Sequence, residues 1–208
     1  MRTSRTRSIT LCGLAIALLA VGAFITVPLG PVPFTLQTMM LLIVILVLSP
    51  GESLAAVGGY LLLGAFGLPI GAGFKGGIAW LLGPTGGFLL GFFVAAVLVA
   101  GLRWLLARPM RGGGRPQTLA GSLALSVAAA LILMLTNYSC GVLWFSVVTN
   151  TDIWTALVAC VFPFALPDAL KAVAAIACVQ PILAALGRAP WTAPQSVAPQ
   201  PSASDNDR

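Results

Sequence analysis

Apolar residues run along this chain in long stretches, punctuated by short groups of Gly, Pro and charge. A helix that crosses a bilayer needs about 20 mostly apolar residues. Residues 9–27 meet that length, and 88–106 form the clearest such stretch. Residues 119–136 form another, with an apolar continuation at 141–148. Residues 36–48 are fewer, and Ser49-Pro50-Gly51-Glu52 separates them from 53–66. These two segments predict a tight helical hairpin, with Pro50 near the start of the second arm, where a missing N–H costs little. Residues 168–186 predict a last helix that begins just after Pro167. The apolar segment 153–166 is interrupted at Pro163 and predicts a short helix or re-entrant piece. The pattern therefore predicts an all-α integral membrane protein, a six-helix transmembrane bundle over residues 9–187. Residues 1–8 form its N-terminal flank, and 188–208, rich in Pro, Ser and Ala, a disordered tail. A seventh crossing at 153–166 would move the C-terminus to the other side.

Composition agrees. Apolar residues are 59% of the chain and charged residues 8%, with a mean hydropathy of +1.02. A soluble domain carries about 25% charged residues because its surface must face water. This chain cannot cover itself that way, so its solvent is lipid. The N-terminal arginines followed by an apolar run resemble a secretory signal, but several apolar segments follow, which predicts an uncleaved first membrane helix.

The net charge of +6 raises the question of nucleic acid, but no nucleic-acid-binding motif accompanies it. The charges follow the positive-inside pattern instead. With six helices, one face collects Arg2, Arg5, Arg7, Arg103, Arg108, Arg111, Arg115, Arg188 and Arg208, while the opposite loops hold Lys75 and Asp152. Both termini are expected on the cytoplasmic side of the cell membrane. Cys12, Cys140, Cys160 and Cys178 form no CxxC pair and the chain has no His, which argues against structural zinc or a disulfide framework.

Two outer loops carry unusual chemistry. In the first, Pro28, Pro31 and Pro33 hold the backbone extended, and Thr35, Gln37 and Thr38 open the next helix. The second, 67–87, has Gly at 67, 71, 73, 76, 77, 83, 86 and 87. Backbone this irregular between membrane helices is tolerated where it is buried in protein or lines a cavity. Ile78, Trp80, Leu81 and Leu82 predict that the loop folds back onto the helices. Asp168 and Lys171 stand at i and i+3, on one face of the last helix. Ionisable residues inside membrane helices usually mark a substrate or ion path. The alternative is a self-neutralising pair at a helix end, with Asp168 in the first turn favoured by the dipole.

These residues resemble a known family. The run Val21-Gly22-Ala23-Phe24-Ile25, leading into Pro28-Leu29-Gly30-Pro31-Val32-Pro33-Phe34-Thr35-Leu36-Gln37-Thr38, is similar to the first loop of the BioY family. These are biotin-specific substrate-capture (S) components of energy-coupling factor (ECF) transporters. Tyr60-Leu61-Leu62-Leu63-Gly64, Gly67-Leu68-Pro69 and Leu82-Gly83-Pro84-Thr85-Gly86-Gly87-Phe88 resemble a second signature, and Pro163-Phe164 with Asp168 and Lys171 a third. The resemblance implies a six-helix bundle with a biotin pocket near its outer face, and no cofactor. It implies substrate contacts from Asp168, Lys171, Phe34, Thr35, Gln37, Trp80, Gly83, Thr85 and Tyr138, with Trp144 as a further aromatic. Gly13 and Ala17 match the small residues with which such helices dock a coupling subunit. No GxxxxGK[ST] loop is present, so ATP-driven uptake implies a transmembrane coupling subunit and ABC-type ATPase subunits as partners. Alternatives are an S component for another small vitamin and a solitary gradient-driven permease. An intramembrane enzyme is disfavoured, because Asp168 is the lone deep acid and there is no His.

Overall fold

A computed structural model describes residues 2–28, 30–106 and 119–186. They form eight α-helices: α1 Arg2–Phe24, α2 Gln37–Val47, α3 Pro50–Ala65, α4 Ile78–Leu82, α5 Gly86–Leu106, α6 Leu119–Thr149, α7 Ile153–Cys160 and α8 Phe162–Ala185. The count differs from the six expected because the glycine-rich loop holds α4 and the Pro163 segment holds α7. Four described helices are long and apolar enough to cross a membrane, with spans at Arg5–Phe24, Gly86–Leu106, Gly121–Thr149 and Phe162–Leu183. The chain is a mostly helical, multi-pass membrane protein. The tail 188–208 and Arg108, Arg111 and Arg115 lie outside the described residues.

The hairpin of α2 and α3 forms as its punctuation dictates. Ser49 caps α3 by accepting from the Glu52 N–H, and the Glu52 side chain accepts from the Ser49 N–H. This reciprocal box satisfies two of the four donors a helix start leaves free. Pro50 fills the first helical position, and Ser8 of α1 donates to the Glu52 carboxylate. At the other end, Gly67 adopts φ +102°. Its N–H reaches the Gly64 carbonyl, and that of Leu68 reaches Leu63. These two bonds make a Schellman ending, which a side chain at Gly67 would strain.

The core sits around α2, whose residues Leu41 to Val47 are all buried. A helix that is apolar all round belongs inside a bundle. Here α1, α3, α5, α6 and α8 surround it. At its N-terminal end the first loop folds back as a two-residue antiparallel ladder, Thr26–Val27 against Phe34–Thr35. The N–H of Leu36 donates to the Gly22 carbonyl at 3.1 Å. Gly22 permits that approach, since a Cβ there would lie 2.8 Å from the Met40 side chain.

The last helix departs from expectation. It begins at Phe162 rather than after Pro167. Pro163 lies in the first turn, where no intrahelical donor is required, and Pro167 sits inside the helix at the loss of one hydrogen bond. Asp168 therefore occupies the second turn. The first-turn dipole argument for it fails, because that effect fades within one turn. By contrast, α6 takes up the apolar continuation at 141–148 and runs unbroken to Thr149.

Candidate functional site

The first loop, α4, α5, α6, α7 and α8 enclose an open cleft of about 620 Å³, mouth included. Its walls are largely apolar: Val32 and Phe34 from the first loop, Trp80 from α4, Phe88 and Phe92 from α5, Phe164 from α8. Phe34 and Phe164 stack with centroids 6.3 Å apart. The floor is polar, made by Thr38, Tyr138, Asp168 and Lys171, with Asn137 on the wall beside it.

The floor is one hydrogen-bonded layer. Lys171 Nζ lies 2.8 Å from Asp168 Oδ1 and 2.5 Å from the Thr35 carbonyl oxygen. It also sits 3.6 Å from the centroid of the Phe34 ring, in cation–π contact. A longer contact of 3.5 Å runs to Thr38 Oγ1. Asp168 accepts from Thr38 Oγ1 at 3.2 Å and from Tyr138 Oη at 2.7 Å. The two charged residues are 6% and 8% exposed, so each is desolvated and depends on the other. Breaking such a buried pair on one side strands a charge. Asp168 uses three of its roughly four acceptor positions within the protein. Its evident work is to orient Lys171 and Tyr138. Of the Lys171 contacts in the layer, the one to Thr38 is the longest.

Trp80 is held by absence of side chains behind it. A Cβ on Gly64 would stand 2.2 Å from the indole, and one on Gly71 about as close at 2.5 Å. Tyr60 meets the Trp80 ring edge-on at 5.9 Å. Gln37 Nε2 lies 2.6 Å from Tyr60 Oη, which donates to the Ile70 carbonyl at 2.9 Å. Gln37 lines the cleft, but its amide nitrogen is spent on fastening α2 to α3 and the loop beyond.

Of the residues expected from sequence, Phe34, Thr35, Gln37, Trp80, Thr85, Tyr138, Asp168 and Lys171 all line the cleft. Gly83 does not; its carbonyl accepts from Trp144 Nε1 at 3.0 Å. Trp144 is a packing residue too, lying against Gly86 and Gly87. Gly13 and Ala17 sit on the exposed face of α1, with open space around Gly13. Sequence reasoning missed Thr38, Phe88, Phe92, Asn137 and Phe164 as lining residues. The signal for Asn137 was present, since a polar residue amid the apolar run of α6 is costly in a membrane. Among the described residues no group of His, Cys, Asp and Glu could hold a metal.

A sequence model of the BioY family matches residues 1–188. The chain belongs to that family. The chain is similar to the protein described as biotin transporter BioY of Thermotoga maritima, 44% identical over 115 residues, 52% of this chain and 68% of that one. It is 36% identical over 172 residues to a probable biotin transporter BioY of Pyrococcus horikoshii, covering 83% of this chain and 93% of the relative. Biotin transporter BioY2 of Lactococcus lactis is 35% identical over 173 residues, 83% of this chain and 88% of its own. The fold resembles the crystal structure of the S-component for biotin from an ECF-type ABC transporter. The TM-score is 0.75 at 22% identity, over 92% of this chain and 96% of that chain.

Proposed function

We propose that this chain is the biotin-capturing S component of an ECF-type transporter. It takes biotin from outside and delivers it across the cytoplasmic membrane. The observation that carries the reading is the polar layer of Asp168, Lys171, Thr38 and Tyr138 at the floor of an aromatic-walled cleft. Biotin matches that division. Its fused ureido–thiophane bicycle packs between Phe34, Trp80 and Phe164, and a ureido or valerate oxygen reaches Lys171. Thr35 holds Lys171 through its carbonyl, Thr85 and Gln37 shape the wall, and Gly83 acts behind it through Trp144. No step in this role makes or breaks a covalent bond, so the chain is a carrier rather than an enzyme and uses no cofactor.

The membrane unit is a bundle of six principal helices, α1, α2, α3, α5, α6 and α8, with α4 and α7 as outer-loop pieces. Both termini face the cytoplasm, supported by the arginine distribution. Energy comes from ABC-type ATPase subunits through a transmembrane coupling subunit, which docks on the exposed strip of α1 at Gly13 and Ala17. Small residues there let a second helix approach closely.

The test is a titration of the detergent-purified chain with biotin, with thiamine and riboflavin as controls. Saturable biotin binding near one per chain, absent for the controls, is the expected result. Folded protein that ignores biotin but binds another vitamin would refute the substrate. Uptake that survives ATPase loss and collapses with an uncoupler would refute the partners.

A further inference from the structure

Asn137 lies in α6 beside Tyr138, is 4% exposed, and is on the wall of the cleft. Among the described residues, its Oδ1 is the one buried side-chain polar atom with no hydrogen-bond partner. The residue also lines a smaller, apolar cleft beneath the polar layer, with Leu42, Leu133 and Met134. Neither cleft offers it a protein donor. Across from it stands Gly91 of α5, where a Cβ would lie 3.1 Å from Oδ1. The glycine leaves room for the amide and supplies no side chain to satisfy it.

Buried side-chain amides in native proteins are almost always bonded, so an orphan on the wall of a binding cleft asks for an external donor. The neighbouring acceptors are already largely engaged, with about one of the four Asp168 positions left. Asp168 already accepts from Lys171, Thr38 and Tyr138, and the Tyr138 hydroxyl hydrogen is committed to Asp168. Oδ1 itself is closed to the cleft and faces Gly91, so a ligand N–H meets it as the unbonded acceptor once the amide turns about its terminal torsion. A ligand oxygen meets Lys171.

We propose that Asn137 is a specificity-determining residue that accepts a hydrogen bond from a ring N–H of the ligand. The assignment rests on the biotin reading above. The ureido ring carries N–H groups flanking a carbonyl, and so offers the donor and acceptor together. A site with a buried acceptor rejects ligands that cannot donate to it far more strongly than an apolar wall would. Vitamins of similar size without an N–H at that edge are thereby excluded.

The experiment measures binding of biotin, and of biotin methylated on both ureido nitrogens, to the wild-type chain and Asn137→Leu in detergent, with melting of each ligand-free protein. Leucine has similar bulk and no polar group to leave unsatisfied. The expected result is at least a tenfold loss of biotin affinity in N137L, with ligand-free melting unchanged or raised. The dimethylated ligand should bind wild type weakly and lose little more in N137L, so that the two changes are not additive. Should N137L not fold, Asn137→Ala carries the same comparison. Biotin affinity within twofold of wild type in the folded variant overturns the assignment and leaves Oδ1 to a bound water. Additive losses overturn it as well, since the methyl groups then act elsewhere. A wild type that binds no biotin instead sinks the transport reading, and this assignment with it.

Discussion

The two ends of α2 each meet a buried charge, and the charges do opposite things. At the N-terminal end, Lys171 and Asp168 form a pair beside Thr38, open to a cleft. At the C-terminal end, Arg103 of α5 donates from Nη1 to the carbonyls of Ile45 and Leu48, at 2.8 and 2.6 Å. Those carbonyls belong to the end of a helix, which has acceptors to spare and a partial negative charge. Arg103 is 8% exposed and lines neither cleft described above. Burial of charge inside a membrane protein does not by itself identify a binding site. What separates the two is geometry: one charge closes a helix end, the other forms the floor of a space that a ligand can enter.

Substitution can break this contrast. Lys171→Met should have the largest effect. It should weaken biotin binding at least tenfold, about 1.4 kcal/mol, and cost about 3 kcal/mol of stability by stranding Asp168. Titration and chemical denaturation read the two losses. Asp168→Asn should weaken biotin similarly, because Lys171 loses its counter-charge and one of the two oxygens that hold Lys171 and Tyr138 becomes a donor; retained affinity in both folded variants would reduce the pair to a structural salt bridge. Arg103→Met should do the reverse, lowering stability by about 2 kcal/mol for lost charge-assisted bonds while biotin affinity stays within twofold. A large affinity loss there would erase the distinction. Gly64→Val should displace the Trp80 ring, at a cost of about 1–3 kcal/mol for overpacking, with affinity falling several-fold.

The smallest effect is electrostatic and lies away from both ends. Asp152 caps α7 by accepting from the Thr155 hydroxyl at 2.7 Å and its N–H at 2.9 Å. These bonds, the side-chain one first, hold its carboxyl below the usual carboxylate range. A depressed folded value means the cap stabilises above the unfolded pKa of about 3.9 and loses that contribution as pH falls through the folded one. The protection factor of the Thr155 amide, its exchange rate relative to the intrinsic rate at each pH, should fall on acidification below about pH 4 in the wild type. In Asp152→Ala that factor should not change over the same window.

Much of this was legible in the chain itself, for physical reasons. The α2–α3 hairpin was readable because Ser49, Pro50 and Glu52 are local signals that act within one turn. Phe34, Trp80, Asp168 and Lys171 stood out because proline-rich, glycine-rich and charged segments are rare between apolar helices. The start of α8 was not readable, since Pro167 looks like a boundary and only tertiary packing decides that it is carried inside the helix. Gly83 and Thr85 are two residues apart, yet Thr85 lines the cleft while Gly83 turns to Trp144. That choice is made by a residue 61 positions away along the chain. Asn137 was visible as a polar residue in α6, but its missing partner is a property of the assembled cleft.

The seat of Trp80 gives this protein an optical consequence. Among the described residues it is the tryptophan that lines the cleft, while Trp104 and Trp154 are more than half exposed on the outside. Indole emission follows the polarity around the ring. Water leaving the cleft as biotin enters should therefore shift the fluorescence of Trp80 and leave the outer tryptophans unmoved. In a chain with Trp104, Trp144, Trp154 and Trp191 changed to Phe, occupancy could be followed by light alone, without a label on protein or vitamin.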